Sequence, residues 1–461
     1  MENFDIAVIG AGPGGYPAAI RAAQLGASVA IIEKEQLGGT CLNWGCIPTK
    51  ALIGAADTFA KMKHAAVLGL KFSEATADYS AMIGHKNKVV TQLKGGIKQL
   101  LTANGVKMFS GVACFQDRNT IAISDGTTIG AKKTIIATGS TSAMPGFLPK
   151  HSRVVESRAF LDRDQLPGSM LVLGGGFIGC ELACMAAQLG VKVTIVELLE
   201  DILLLLDPDV RREVRGQMER TLGIRVLTGK ALENIRADDA GVTGEFGGEA
   251  LRADLLLSAV GRRPVTEGLK LENAGLKTNE RGYIEADSCC RTAVANIFAI
   301  GDVTGKLQLA HYATAQGIVA AENALRSKTH AHDTLVPNVI FTAPEVGTVG
   351  ISEDEAKKLG RAVKIGKFRF GGLGKAIAAA ETVGFVKWIA DAANNQLLGA
   401  AAVGAHATEL IAAATTAIRS EQTLQELGHT IHAHPTYQEA WMEAAHVALG
   451  EAIHAPPARR R

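Results

Sequence analysis

The chain has 461 residues, room for roughly three or four domains' worth of core, and is 47% hydrophobic, 5% aromatic and rich in glycine. Its 48 basic and 46 acidic side chains leave a formal charge of +2, which offers no global field to attract nucleic acid or a membrane surface. The greasiest stretch, Ile202 to Leu206, is closed by Asp207 and Pro208 and is far too short to span a bilayer, and the basic end Arg459 to Arg461 reads as a solvated tail. With no leader ahead of the first strand, the expected compartment is the cytoplasm, or a matrix whose targeting segment is missing here.

A β-like run from Ile6 to Ile9 feeds into GAGPGG, a helical pattern runs from Tyr16 to Leu25, Gly26 stops it, and Ser28 to Ile32 forms a second β-like run ending in Glu33. This is a βαβ unit. Gly10 makes the tight turn, Gly12 admits the backbone to a pyrophosphate, and Gly15 lets helix pack close to strand, with Gly14 beside it. The helix N-terminus offers unpaired N–H groups and a positive dipole to phosphates. Glu33 follows Gly10 by 23 residues, where a ribose needs a carboxylate acceptor. A GxGxxG alone is weak, but strand, helix and acid stand here in register.

Next comes GGTCLNWGCIPTK, from Gly38 to Lys50. Cys41 and Cys46 are five apart, bracketed by Gly38, Gly39 and Gly45 and closed by Pro48, so a tight helix-starting turn can bring both sulfurs within bonding reach. In a reducing compartment a surviving disulfide is more often catalytic than structural. An accidental pair or half a zinc site are the alternatives, although zinc would want further Cys or His at short spacing and none follows closely. Just after a dinucleotide unit, the pair reads as a redox couple.

That segment resembles the redox-active stretch of the flavoprotein disulfide reductases (pyridine nucleotide-disulfide oxidoreductases), and its LN with Ile47 is nearer the dihydrolipoyl dehydrogenases than the glutathione or mercuric reductases. The resemblance runs over essentially the whole chain. It implies an α/β fold with two Rossmann-like dinucleotide-binding domains, for FAD at 1–148 and NAD at 149–266. A central segment at 267–335 completes the FAD site, and a C-terminal α+β dimerisation domain covers 336–461. It also implies cofactor contacts at Gly39, Thr40 and Lys50.

The βαβ order returns at a constant offset of 164: Leu171 to Leu173, GGGFIG, a helix from Cys180 to Leu189, Gly190, the strand Lys192 to Val196, and Glu197. Gly174, Gly176 and Gly179 match Gly10, Gly12 and Gly15, and AAQLG occurs in both copies. Two dinucleotides are implied. Disulfides exchange electron pairs and nicotinamide exchanges hydride, so a flavin is the natural intermediary. FAD is expected in the first unit and the nicotinamide nucleotide in the second. Glu197 would repel a 2′-phosphate and no Arg lies between Leu198 and Leu206, which favours NAD over NADP; Glu197 as a mere solvated strand end stays open. By resemblance, Phe177 covers the flavin until nicotinamide displaces it, with plain packing as the alternative. Ile178 adjoins it, and Glu181 is expected to pair with Lys50.

KTIIATG, ending in Thr138 and Gly139, and its echo LLLSAVG, ending in Gly261, resemble connections where the chain crosses back to its nucleotide domain. AIGDV resembles a second FAD contact, with Asp302 accepting from ribityl or ribose hydroxyls, and LAHYATAQG, carrying Ala310, resembles the helix beneath the flavin. Gln316 stands where many relatives are acidic and is given no functional weight. From about Pro337, IFTAPEVGTVG, GFVKWIA and LLGAAAVG read as three strands, with helices at Ala407 to Ser420 and Gln438 to Ala448.

Near the end stands His432-Ala-His-Pro-Thr-Tyr-Gln-Glu439. His434 precedes proline and is held extended, and Glu439 on the next helix can reach back to its imidazole. A carboxylate on one ring nitrogen fixes the tautomer and raises the basicity of the other. By itself an HxH pair is more often structural or a weak metal site. The HPTxxE match implies instead that His434 is the base that deprotonates a thiol, with Glu439 behind it, both facing Cys41 of the partner subunit in an obligate homodimer. Tyr437 and Gln438 depart from the family's Leu-Ser and bear on the shape of the substrate entrance.

The activity implied is oxidation of dihydrolipoamide by NAD, with Cys41 as the interchange thiol and Cys46 as the thiolate stabilised by the flavin and Lys50. The lipoyl groups would sit on a lipoylated acyltransferase or a glycine-cleavage carrier protein, since no lipoyl segment precedes the first strand. No metal is expected. Cys180 with Cys184 and Cys289 with Cys290 are read as structural, Cys114 is lone, and His64, His311 and His406 have no partner that the sequence names. The competing readings are an NADPH-dependent disulfide or mercuric reductase, which would need a basic pocket after Glu197 or a terminal cysteine pair, and an idle flavoprotein kept as an NAD-sensing subunit.

Overall fold

The computed structural model describes residues 1–71 and 75–456; the basic tail from Arg459 to Arg461 lies outside them. The first sheet is centred on Glu2–Ile9, paired in parallel with Val29–Glu33 on one side and Thr128–Ile136 on the other. Lys107–Ser110 extends it beyond Val29–Glu33, and Ile297–Ala299 joins Thr128–Ile136 in parallel. A parallel sheet covered on both faces needs strands apolar throughout, and Ile6, Val8, Ile31, Ile32, Ile135 and Ile136 are all essentially inaccessible. The helix Gly15–Gln24 closes one face through Ala18, Ala19 and Ala22.

The second sheet repeats this plan. Ser169–Leu173 lies between Lys192–Glu197 and Leu255–Ser258, with Arg225–Thr228 and Val154–Glu156 at the two edges, all in parallel. The shared plan thus extends beyond the βαβ core to the strand ending in each crossover, KTIIATG and LLLSAVG, although these do not keep the 164-residue offset. The fifth place is filled from opposite directions in the chain, by Ile297–Ala299 in one sheet and Val154–Glu156 in the other. Where the chain passes between the two units, Ser140–Ser142 and Arg262–Pro264 pair as a two-stranded ribbon.

The C-terminal unit has one antiparallel sheet of five strands where three were expected, in the order Asn338–Ile340, Val346–Gly350, Leu397–Gly404, Gly384–Asp391, Val363–Arg369. IFTAPEVGTVG divides in two because Pro344, following a cis peptide bond, breaks the ladder. Val363–Arg369 was missed because one of its buried positions is Gly366, where a Cβ would meet the carbonyl of Ala444 at 1.9 Å. The strand lies so close to the helix Glu439–Leu449 that its inner face carries little apolar signal. The helices Ala407–Arg419 and Glu439–Leu449 stand where expected.

A buried ammonium joins the second unit to the third. Lys387, fully inaccessible, donates to Asp207 at 2.8 Å, Asp209 at 2.8 Å and Glu353 at 2.7 Å. Lys367 adds a 2.7 Å bond to Asp209. Three convergent carboxylates could hold a cation, and here the lysine is that cation. Burial would discharge Lys387, but its three carboxylates outweigh this and raise its pKa. Burial likewise pushes Asp209 up, while Lys367 and Lys387 bring it below its usual value. Asp209 therefore adds stability at neutral pH that fades as acid protonates it. Lys387→Met strands three carboxylates at a cost of about 3–5 kcal/mol. The expected outcome is a lower thermal midpoint at pH 7 and a smaller difference from the parent in acid; equal midpoints at pH 7 would contradict it.

Candidate active site

The two glycine loops have the same construction. Gly10 and Gly174 have φ of 99° and 106°, which L side chains rarely adopt, and a Cβ on Gly15 or Gly179 would lie 1.8 or 2.1 Å from the carbonyl of Gly10 or Gly174. Glu33 accepts the N–H groups of Ala11 at 2.7 Å and Glu35 at 2.9 Å. Glu197 accepts those of Gly175 at 2.6 Å and Leu199 at 2.9 Å, the same partners shifted by 164. Each carboxylate is thereby pinned at a strand end with lone pairs to spare for a ribose diol. The helices Gly15–Gln24 and Phe177–Gln188 start without a side-chain cap, which leaves backbone N–H groups at their starts for phosphate oxygens, although that of Tyr16 is already bonded to the Gly12 carbonyl at 3.2 Å. Phe177 is half-buried at the start of the second helix, and Ile178 beside it is exposed.

The redox segment docks on the first loop backbone to backbone. A Cβ on Gly39, whose φ is 58°, would lie 2.7 Å from the Cα of Gly12, so Gly39 must be glycine for this approach, and Thr40 follows directly into the helix Gly39–Trp44. Asn43 holds the turn by donating its side-chain amide to the carbonyls of Leu37 at 3.0 Å and Gly39 at 2.9 Å. Gly45 breaks the chain direction, and the helix Cys46–His64 begins at the second cysteine. Cys41 and Cys46 are close enough to share a proton. The Cys41 thiol donates to Cys46 and lowers it; burial opposes this, and the Lys50 ammonium adds to it, leaving Cys46 at about 7. Cys41 is driven the other way by the same hydrogen bond and by burial. One sulfur of the reduced pair is thus set to ionise while its neighbour keeps the proton. Cys41 was expected to be the outer cysteine, yet within this chain Cys46 is the more exposed and Cys41 is half-buried. What distinguishes Cys46 is its place at the head of the helix that carries Lys50.

Three units meet behind that thiolate. Lys50 donates to Glu181 at 2.7 Å, and Glu181 is only 7% exposed. The other oxygen of Glu181 accepts the Phe341 N–H at 2.9 Å, while the Lys50 ammonium lies 4.4 Å from the centre of the Phe341 ring. Phe341, from the C-terminal unit, was not foreseen, because its part is played by a backbone N–H and a ring face that no motif records.

Asp302 follows Ile297–Ala299 and accepts the Ser140 hydroxyl; Arg262 donates to Ser140 Oγ at 2.7 Å and to its carbonyl at 2.8 Å. Asp302 thus stands over the ribbon between the nucleotide units. Gly139 and Gly261 make its turns with φ of 69° and 128°, Thr138 Oγ1 donates to the Val265 carbonyl at 2.6 Å, and Ala310 opens the helix Ala310–Leu325. Gln316, given no weight from sequence, is buried and accepts the Gly301 N–H at 2.8 Å, holding the turn that aims Asp302.

His434 and Glu439 come together as expected, Nδ1 to Oε1 at 2.9 Å, and the second Glu439 oxygen accepts the Thr436 N–H at 2.8 Å. Burial is the largest single influence on Glu439 and pushes it up, but Thr436 and His434 together outweigh it and hold the carboxylate below its usual range. The His434 side chain is 77% exposed, and its side-chain partner among the described residues is Glu439, not the cysteine segment of its own chain. His432 is half-buried with Nε2 unpaired, and burial keeps it neutral. Tyr437, one of the two departures from the family's Leu-Ser, is 6% exposed and turns inward. Cys180 and Cys184 are buried in the second nucleotide helix, and Cys290 is buried as well.

A family model described as pyridine nucleotide-disulphide oxidoreductase matches residues 4–317, and the dimerisation domain of the same family matches 336–445. The chain belongs to the pyridine nucleotide-disulphide oxidoreductase family. Curated relatives named dihydrolipoyl dehydrogenase include those of Chlamydia muridarum, 42% identical over 100% of both chains, and Haloferax volcanii, 43% identical over 98% of this chain and 97% of the relative. Among solved structures, LpdA from Mycobacterium tuberculosis superposes with a TM-score of 0.89 at 25% identity, covering 96% of this chain and 99% of that one. The HOCl-induced flavoprotein disulfide reductase RclA from Escherichia coli superposes at 0.87 with 29% identity, covering 95% and 98%. FAD and NAD are the cofactors of this oxidoreductase family member, and the two glycine loops with their pinned carboxylates fit them. It carries the family's dimerisation domain, and among the described residues no helix is long and apolar enough to cross a membrane.

Because the Lys50 ammonium lowers Cys46, removing it has a signed effect. In the reduced holoenzyme, Lys50→Met is expected to move the thiolate titration of Cys46 up from about 7, so that ultraviolet thiolate absorbance develops only at higher pH. An unchanged titration would show that Lys50 does not act on this sulfur.

Proposed function

We propose that the chain is a dihydrolipoyl dehydrogenase, oxidising protein-bound dihydrolipoamide to lipoamide with NAD as the final acceptor. The observation that carries this reading is the Cys41–Cys46 pair, with one sulfur lowered to about 7 beside Lys50, lying against the first dinucleotide loop. Relatives of that name about 42% identical over full length support it.

In the proposed reaction, His434 of one subunit takes the proton from the first substrate thiol, and Glu439 stabilises the resulting imidazolium. The substrate thiolate attacks Sγ of Cys41; the Cys41–Cys46 bond breaks and Cys46 leaves as thiolate facing Lys50. The second substrate thiol then attacks the mixed disulfide, closing the lipoyl ring and releasing Cys41, which takes the proton. Two electrons and the balancing protons now reside on the cysteine pair and its base. FAD held in the first unit would supply the two-electron carrier between the cysteine pair and NAD held in the second, which would accept hydride. Glu33 and Asp302 would hold FAD hydroxyls, and Gly174, Gly176, Gly179 and Glu197 would hold NAD. Phe177 would cover the flavin face between turnovers.

Two subunits are needed because His434 and its own Cys41 are not partners within one chain. The working form is therefore a homodimer, and the lipoyl group arrives on a separate lipoylated acyltransferase or glycine-cleavage carrier protein. A reduced cysteine pair with a redox role suits the cytoplasm.

His434→Gln is expected to lower turnover with dihydrolipoamide by about a hundred- to ten-thousandfold. Near-parental activity would place the base elsewhere. In Cys41→Ser the long-wavelength thiolate-to-flavin absorbance should persist without turnover, whereas Cys46→Ser should lose both. Identical spectra would reverse or cancel the roles given to the two sulfurs, and a parent unable to pass electrons from dihydrolipoamide to NAD would leave an idle, NAD-sensing protein.

A further inference from the structure

The segment bearing the base hangs between two buried points. Every residue from His429 to Thr436 is exposed or half-exposed, Ile431 to 96%, and the next buried positions are Gly428 before it and Tyr437 after it. Within this span the hydrogen bonds are short-range: the Thr436 hydroxyl to the Ala433 carbonyl at 2.7 Å, and the His434 and Thr436 bonds to Glu439. Such a loop has little internal stiffness, so its outer anchor decides where the imidazole is held.

Tyr437 is that anchor, and it grips something specific. Its ring meets Phe370 edge-on at 5.4 Å and His406 at 5.0 Å, and its hydroxyl donates to Glu381 Oε2 at 2.9 Å. The other oxygen of Glu381 receives the Lys61 ammonium at 2.8 Å. Lys61 lies on the helix Cys46–His64, about four turns from the cysteine at its head. Burial and the Glu381 carboxylate both push the Tyr437 phenol upward, so it remains a donor. A bond from a neutral hydroxyl to a carboxylate that is itself paired with a cation is of the stronger kind.

We infer that Tyr437 is a positioning residue for the proposed base: through Glu381 and Lys61 it fastens the His434–Glu439 loop to the helix that begins at Cys46. The inference rests on the reading of His434 as the base. In the homodimer proposed above, the helix serving one active site would thereby set the stance of the base serving the other. Glu381 and Lys61 touch neither sulfur nor imidazole; they act through Tyr437.

Because the base acts only when dithiol reduces the cysteine pair, the two half-reactions separate positioning from general damage. In Tyr437→Phe holoenzyme, reduction by dihydrolipoamide in stopped flow is expected to slow about tenfold, with reduction by NADH within about twofold of the parent. Lys61→Gln, at a side chain 70% exposed and so tolerant of change, should slow the dithiol half about threefold and spare the NADH half. In Tyr437→Phe background, Glu381→Gln should add little, since both changes break one tie. A dithiol rate equal to the parent's in both Tyr437→Phe and Lys61→Gln, or an equal fall in the two half-reactions, would overturn the inference; if Tyr437→Phe fails to fold, Lys61→Gln decides alone. His434→Gln measured alongside keeps the two claims apart. If it leaves the dithiol rate intact, the base assignment falls; if it abolishes that rate while Tyr437→Phe and Lys61→Gln do not alter it, only the role of Tyr437 falls.

Discussion

The structure depends on one electrostatic arrangement, a cysteine sulfur lowered to about 7 because the Cys41 thiol donates to it and a lysine four residues along its own helix stands beside it. Lys50 is held by the buried carboxylate of Glu181, and Glu181 is held in turn by the N–H of Phe341. Each of these comes from a different unit of the chain. The folding of three units against one another thus holds in place the lysine that helps lower one thiol. The same need for close packing explains why glycine stands at Gly39, where a side chain would push the redox turn off the nucleotide loop at Gly12.

Much of this was legible in the order of residues. Repeating glycines with an acid at the end of the following strand are local geometry, so the duplication at an offset of 164 appeared directly, and the structure carries it down to the backbone N–H groups that Glu33 and Glu197 accept. The cysteine spacing and the HPTxxE pattern are equally local. What stayed hidden needed contacts between distant parts of the chain. Phe341 contributes an N–H and a ring face, Gln316 contributes one buried amide oxygen to the Asp302 turn, and the strand Val363–Arg369 surrenders its apolar signature to Gly366. That Tyr437 turns inward to Glu381 could not be read from its place in the motif, since the partner lies 56 residues away.

The third unit does more than supply a surface for a second copy. Lys387 clamps it to the second unit through Asp207 and Asp209, and Asp207 follows directly on the segment that rests on the second glycine loop, where Leu203 donates to the Gly175 carbonyl at 2.9 Å. Through Phe341 the third unit reaches Glu181, and through Tyr437 and Glu381 it reaches the far end of the helix that starts at Cys46. The nucleotide units carry the glycine loops and the cysteine pair, and the C-terminal unit ties them together and presents His434, the proposed base.

The most direct test of the account is anaerobic titration of the oxidised holoenzyme with one equivalent of dihydrolipoamide at neutral pH, followed by its visible spectrum. Electrons stored on the cysteine pair with Cys46 ionised should give long-wavelength absorbance while the flavin bands remain largely those of the oxidised form. Bleaching of the flavin with no long-wavelength absorbance, or no spectral change at all, would contradict a thiolate held at Cys46 as the stopping point of the first electron pair.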